Sequence, residues 1–463
     1  MKSIKRCLIS SGLFMFCLLA IFSSSCKKFL DATPNQELAT ITTMQQLRAL
    51  LDNPLTINGN YPFIGAIASD DYYVTDASYN SYNNAEAKSA YSWGLIQESA
   101  EPNSIWLLNY KRILSANTVL DHIEKVSGGG YSTREQNALK GEALFHRGYT
   151  FFQLSQIYSM SYSPAAAGAL KGIPLKLTSD INEPVTRPLL SQVFAQVISD
   201  LESSVHLLPL TSLPLLRPNR AAAFAALSNV YLVMGEYSKA LEYADSSLMI
   251  KDSLMDFNEM SLNAENVIPL YNKEILWHAE LGITPLLNTS RLKVDSNFYR
   301  SCTTGDLRGK IYFKQVAGSS YTIKSNYNNY PVSGMFFAGI ATDEMFLVKS
   351  ECLARLNRPD EALQTLNQLL EKRYDKNSYI PFVKSPENSA LDIILAERRK
   401  ELCFRGICRW IDIRRLNEYD PVKISPQRKI AGQVYTLHPK SMHLAFLIPQ
   451  SVIDHSKVEQ NKR

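Results

Sequence analysis

The chain has 463 residues, 45% of them hydrophobic and 20% charged, with 49 Lys and Arg against 44 Asp and Glu. So small a positive balance excludes the basic stripe of a nucleic-acid binder, and a chain of this length can bury a core without disulfide staples. Beyond the first 26 residues the cysteines are Cys302, Cys352, Cys403 and Cys408. Their spacing matches no zinc pattern, and they read as buried free thiols with room for one adventitious disulfide.

Residues 1–25 read as a leader that is no part of the fold. Lys2, Lys5 and Arg6 give a positive start, Cys7 to Phe22 is an uncharged apolar run, and Ser23, Ser24 and Ser25 stand immediately before Cys26. This is the layout of a secretory signal, and the run is shorter than the roughly 20 apolar residues that span a bilayer. A cysteine directly after the small residues is what a lipoprotein peptidase requires. Cys26 is therefore expected to carry the lipid, since two or more acyl chains anchor a protein stably where one does not. Loss of the three leader cations brings the formal charge of +5 down to +2.

Most of the remaining chain has helical period. Met44–Leu51 opens behind Thr42 and Thr43, and Ile105–Val126 ends at Gly128-Gly129-Gly130. Ser132 or Thr133 caps a helix running to about Tyr158. Pro164 to Pro188 is irregular, helices resume at Leu190–Leu207 and Ala221–Met234, and Leu444–Ile448 before Pro449 reads as a short strand. Residues 52–104 and 255–340, rich in Tyr, Asn, Ser and Gly, read as loops and short strands.

Tyr231 to Leu241 lines up with Leu353 to Leu363 at a constant offset of 122 residues. Gly235 falls on Asn357, Ala240 on Ala362 and Leu241 on Leu363. Gly and Asn are the residues that most easily close a helix in the left-handed conformation, and the small Ala lets the next helix pack closely. This is the tetratricopeptide type of helical hairpin. The predicted fold class is mainly α, a tetratricopeptide-like hairpin scaffold with inserted loop-rich regions. It is organised as one domain over 26–463, with an N-terminal part at 26–220 and a C-terminal part at 221–463.

Catalytic signatures are missing: there is no G-x-S-x-G, H-E-x-x-H or P-loop. His438 and His443 have no further ligands nearby, so neither a metal nor a cofactor is expected. In the charged stretch Glu397–Arg415, the pairs Arg398/Glu401 and Glu401/Arg405 have the spacing to meet on one helical face. The arginines around Glu397 and Glu401 argue for a structural ion network rather than paired-carboxylate catalysis. The chain reads as a binding protein, not an enzyme. Sugar rings stack on aromatic side chains while their hydroxyls bond to carboxylates, amides and guanidinium groups. Two segments offer that chemistry. The first holds Asp70, Asp71, Tyr72, Tyr73, Tyr79, Tyr82, Asn83, Asn84, Tyr91 and Trp93; the second holds Trp277, Tyr299, Arg300, Tyr312, Tyr321, Tyr327 and Tyr330.

Several segments, taken in order, resemble the SusD/RagB outer-membrane lipoproteins of Bacteroidetes. They are Ser25-Cys26-Lys27-Lys28-Phe29-Leu30-Asp31 with Pro34; Glu142-Ala143-Leu144-Phe145-His146-Arg147-Gly148-Tyr149; Asn219 to Leu241; Glu397 to Gly406; and Arg409-Trp410-Ile411-Asp412 with Arg414-Arg415-Leu416. The resemblance implies a non-catalytic nutrient-binding protein of the outer membrane, lipid-anchored through Cys26 and exposed at the surface. It implies a partner, a SusC-like TonB-dependent barrel over which the lipoprotein sits as a lid. The implied ligand is a glycan or oligosaccharide, or in some relatives a peptide or another small nutrient.

Overall fold

The computed structural model describes residues 41–96, 104–126, 129–212, 214–329, 335–386 and 389–463. The leader, Cys26 and Tyr330 lie outside the described residues. Ten helices of at least eight residues, among those described, make the scaffold: α1 (Met44–Leu51), α2 (Ser104–His122), α3 (Thr133–Tyr158), α4 (Leu190–Leu207), α5 (Arg220–Met234), α6 (Tyr237–Ile250), α7 (Thr342–Arg355), α8 (Pro359–Leu370), α9 (Ala390–Glu401) and α10 (Cys408–Tyr419). Their starts follow local chemistry. Thr43 accepts from the backbone of Gln46, and Ser132 from that of Glu135, whose carboxylate returns the bond; both are capping boxes.

Helices adjacent in sequence pack on one another: α2 on α3, α3 on α4, α5 on α6, α6 on α7, and α7 on α8. The predicted repeat is present in atomic detail. Gly235 (φ 78°) and Asn357 (φ 60°) both adopt the left-handed conformation that ends the first helix of their hairpins. The next amide then reaches back in the same way, Glu236 to the Tyr231 carbonyl at 3.0 Å and Arg358 to the Leu353 carbonyl at 2.9 Å. Ala240 and Ala362 are fully buried where the second helix meets the first.

Residues 43–463 form one compact unit. Its strands make four antiparallel two-stranded pairs: β1 (Tyr72–Tyr73) with β3 (Lys293–Val294), β2 (Ile275–Trp277) with β6 (Ile340–Ala341), the hairpin β4 (Phe313–Gln315) with β5 (Tyr321–Ile323), and β7 (Gln427–Ile430) with β8 (Gln433–Thr436). The β2–β6 pair closes most of the loop-rich insert into a single excursion that returns to the scaffold immediately before α7.

Two expectations are corrected. The described residues of 52–104 hold helix as well as loop and strand: short helices occupy Pro54–Ile57, Ile64–Ile67, Asp76–Asn80 and Ala85–Tyr91. Asn53, Thr75 and Asn84 start three of them by accepting from the backbone of Thr56, Ser78 and Ala87. A segment rich in Asn, Ser and Thr is thus a series of caps. Leu444–Ile448 joins no strand ladder. Its Phe446 amide donates to the Ile157 carbonyl at the end of α3, and its Ile448 amide to the Gln460 side chain, both at 2.8 Å.

A Cβ at position 235 would sit 2.9 Å from the Tyr419 ring, in addition to the left-handed backbone. Gly235→Ala is therefore expected to lower the unfolding free energy by about 1–3 kcal/mol. Asn357→Gly should change it by less than about 0.5 kcal/mol. Urea unfolding of the two variants beside the parent protein measures both.

Candidate functional site

Beneath the surface lies an ionic seam built on α9 and α10. Arg308 is fully buried and holds Asp306 with two bonds of 2.8 Å, while also bonding Glu397 and Glu401. Arg373, equally buried, reaches Glu401 at 2.6 Å and Glu274 at 2.8 Å. Arg405 grips Asp343 with both terminal nitrogens and lies 3.5 Å over the Tyr327 ring. Arg415 does the same for Glu351 and also takes Asp412, which Arg398 shares at 3.0 Å. Burial raises the cost of charge for Glu351, yet Arg415 and Arg355 outweigh it and hold that carboxyl down at about 2.

The seam is a structural ion network, as the sequence suggests, but its pairing differs from the helical spacing. Arg398 turns to Asp412, and Glu401 is taken by Arg308 and Arg373. The helix stops at Glu401, and the left-handed Phe404 and Gly406 swing the chain so that Arg405 points to Asp343. The two pairs Arg398/Glu401 and Glu401/Arg405 give way to partners that are themselves buried, while Arg415 and Asp412 keep their pair within α10.

Most of the first aromatic segment is fastened into this interior. Asp70 is bound by Arg409 at 2.6 and 2.9 Å, and Asp71 by Arg399 at 2.9 Å. Burial alone would raise the Asp70 carboxyl, but the guanidinium groups of Arg409 and Arg399 hold it well below its usual range. Tyr72 donates to the Ile67 carbonyl, and Tyr79 packs against Tyr91. Trp93 is wholly buried, its indole N–H bonded to Ala68 at 2.9 Å. Trp277 is likewise buried, against Tyr61, Phe145 and Tyr149, with its N–H on Leu216. The expectation that Asp71, Tyr72, Tyr79, Tyr91, Trp93, Trp277, Tyr312 and Tyr327 face a ligand is corrected, since all of them are buried; Asp70 keeps a partly exposed side chain, but its carboxylate is taken by Arg409.

What remains outward converges. Pairing of β1 with β3 sets Tyr72 opposite Val294, both inward, and Tyr73 opposite Lys293, both outward. Tyr73 shares a 3.4 Å hydrogen bond with Ser320 at the β4–β5 turn. Beside it Tyr321 stacks on Tyr299, with ring centroids 3.5 Å apart and planes within 16°. Burial, then the contact with Tyr321, pushes the Tyr299 hydroxyl above its ordinary pKa. Arg300 is exposed in the last turn of the helix Ser296–Ser301, and Tyr82 lies half-buried with the Arg291 guanidinium 5.7 Å from its ring centre. Tyr73, Tyr82, Tyr299, Arg300 and Tyr321 thus form an accessible group drawn from both predicted segments, although 217 residues or more separate the first two from the last three in the chain.

Lys293, Arg291 and Ser320 belong to the same surface and were not among the sequence candidates. The alternation Arg291-Leu292-Lys293-Val294, polar outward and apolar inward, carries the signal of a strand with a cationic face.

The architecture is a helical-hairpin scaffold that carries a layer of hairpin and loop over a buried ionic interior. Residues 28–232 match the family described as "Starch-binding associating with outer membrane", and residues 341–444 match the SusD family. SusD-like protein P2 of Formosa agariphila is 22% identical over 389 residues, 70% of this chain and 74% of that one. SusD-like protein P38 of the same organism is 32% identical over 127 residues, 26% of this chain and 22% of that one. Among solved structures, a SusD superfamily protein from Bacteroides thetaiotaomicron superposes with a TM-score of 0.73 at 23% identity, covering 91% of this chain and 100% of that one. A SusD-like carbohydrate binding protein from Bacteroides vulgatus gives 0.68 at 21%, covering 90% and 97%. At such identities the structural likeness is one of fold. The chain belongs to the SusD/RagB family, a family of binding proteins.

Next to Tyr82, Glu86 has one buried carboxylate oxygen without a hydrogen-bond partner, and burial raises its pKa from 4.5 to about 7. Between those values the native protein holds a proton that the unfolded chain releases, so stability falls as pH rises through the interval. Glu86→Gln is expected to stabilise the protein by about 2 kcal/mol at pH 8 and by little at pH 4. Urea unfolding at the two pH values tests this; equal effects at both would remove the ionised carboxylate as the cause.

Proposed function

We propose that the protein captures an oligosaccharide at the outer membrane and delivers it to a SusC-like TonB-dependent barrel, held there by lipid on Cys26. The observation that carries this reading is the convergence of Tyr73 and the stacked Tyr299–Tyr321 pair through the β1–β3 pairing. Aromatic faces accept the C–H faces of sugar rings, and Ser320, Lys293 and Arg300 stand at the rim to bond hydroxyls. Family membership supports a glycan over other nutrients, since the matching description is of starch binding and an outer-membrane association. Capture is non-covalent, and Asp70 and Asp71 serve as positioning residues: they tie the start of β1 to Arg409 and Arg399, which fixes where Tyr73 stands. A peptide ligand is the second reading, because the same rings and cations suit an extended chain.

Calorimetry against oligosaccharides and oligopeptides separates the two ligand classes. Tyr299→Ala combined with Tyr321→Ala is expected to weaken binding about tenfold or more, equal to about 1.4 kcal/mol. Affinity left unchanged by the pair would remove this surface from the site. Cys26→Ala should move the protein from the membrane to the soluble fraction, and persistent membrane association would refute the lipid anchor.

A further inference from the structure

The outward aromatic group sits in a strongly basic stretch of the chain. From Thr289 to Lys324 there are seven basic side chains and two carboxylates, a net +5 in 36 residues that equals the formal charge of the whole chain. One of those cations, Arg308, and one carboxylate, Asp306, are consumed by each other in the buried seam. The other carboxylate, Asp295, accepts from the Phe298 amide at 2.9 Å and caps a helix. The remaining six cations are Arg291, Lys293, Arg300, Lys310, Lys314 and Lys324, and none forms an ion pair among the described residues. Arg291, Arg300 and Lys324 bond only neutral oxygens, of Pro285, of Asn297, and of Leu262 and Lys310.

The arginines Arg48, Arg147, Arg355, Arg398, Arg399, Arg409 and Arg415 by contrast each hold a carboxylate. Arg112, Arg414 and Arg428, which bond only neutral oxygens, are buried and satisfied by backbone carbonyls and an amide. Unpaired like charges gathered on one segment repel one another. Lys324 shows it, since burial and then repulsion from Lys314 push its ammonium below the ordinary value. They also sum into a positive potential that a nearby anion lowers. Two of them sit among the stackable rings: Lys293 faces Tyr73 across the β1–β3 register, and Arg300 follows Tyr299 in the chain.

We infer that the ligand of this surface is an acidic oligosaccharide, one whose carboxylate or sulfate groups meet Lys293 and Arg300 while its rings lie on the Tyr299–Tyr321 pair. The inference rests on the reading of this surface as the ligand site. It makes the cations determinants of specificity and the tyrosines a sequence-tolerant platform.

Native affinity electrophoresis of the detergent-solubilised full chain tests it. Gels are cast with acidic polysaccharides (polygalacturonate, alginate, chondroitin sulfate, carrageenan) or neutral ones (starch, xylan, laminarin, galactan). Retardation by at least one acidic polymer is expected, weakening as NaCl is raised. It should fall about tenfold or more in Lys293→Ala combined with Arg300→Ala. It should persist in Lys293→Arg, and in Lys125→Ala, which alters an exposed cation beyond the end of α2. Retardation by neutral polymers alone overturns the inference and leaves the glycan-capture reading standing, whereas retention by no polysaccharide removes both. Acidic retention that ignores the Lys293 and Arg300 substitutions also overturns it. So does binding to vesicles containing phosphatidylglycerol with no polysaccharide bound, which would make this face a membrane surface.

Discussion

Everything in this protein that faces outward is referred to a set of charges that cannot afford to be alone. Arg308, Arg373, Glu274, Glu401 and Asp343 are almost wholly removed from water, and each is tolerable only because its partners are in place. Removing one member of such a pair typically costs about 3–5 kcal/mol, because the other charge is left buried and unpaired. The constraint is therefore one of geometry more than of net stability. Elements that supply partners have very little freedom in where they stand.

Those elements come from distant parts of the chain. Glu274 and Asp306–Arg308 belong to the insert, Asp343 and Glu351 to α7, Arg373 to the end of the second hairpin, and Glu397 to Arg415 to α9 and α10. The seam thus pins the loop-rich layer to the helical scaffold from beneath. Arg399 and Arg409 extend it outward to Asp71 and Asp70, and the next residues form β1. The Asp71 carbonyl then accepts from the Asp295 amide at 2.8 Å, which locks β1 to the strand that carries Lys293. A line of buried ion pairs ends at an exposed tyrosine.

The two charge regimes divide the labour. Within the seam, carboxylates and guanidinium groups neutralise one another and serve position. Outside, between Arg291 and Lys324, cations stand without carboxylate partners beside rings that can stack, where water screens the repulsion among them. Positional precision comes from the first regime, and the proposed attraction for a ligand from the second.

By itself the sequence determined what local chemistry decides. The helix starts at Thr43 and Ser132, the left-handed turns at Gly235 and Asn357, and the repeat between them all follow from side chains acting within a few residues. It also pointed to the two aromatic segments from which the outward surface is assembled. It could not say which of those rings face out, because alternation over two-residue strands is too short to read and burial depends on what packs from elsewhere. Trp93 and Trp277, the most conspicuous candidates, went to the core, since a large apolar ring gains most where other elements cover it. Tyr73 stayed outside because one register, Tyr72 opposite Val294, turns its neighbour inward. Only the tertiary structure chose partners for Arg398, Glu401 and Arg405, because buried charges select the best desolvated counter-ion available in space and not the nearest along a helix.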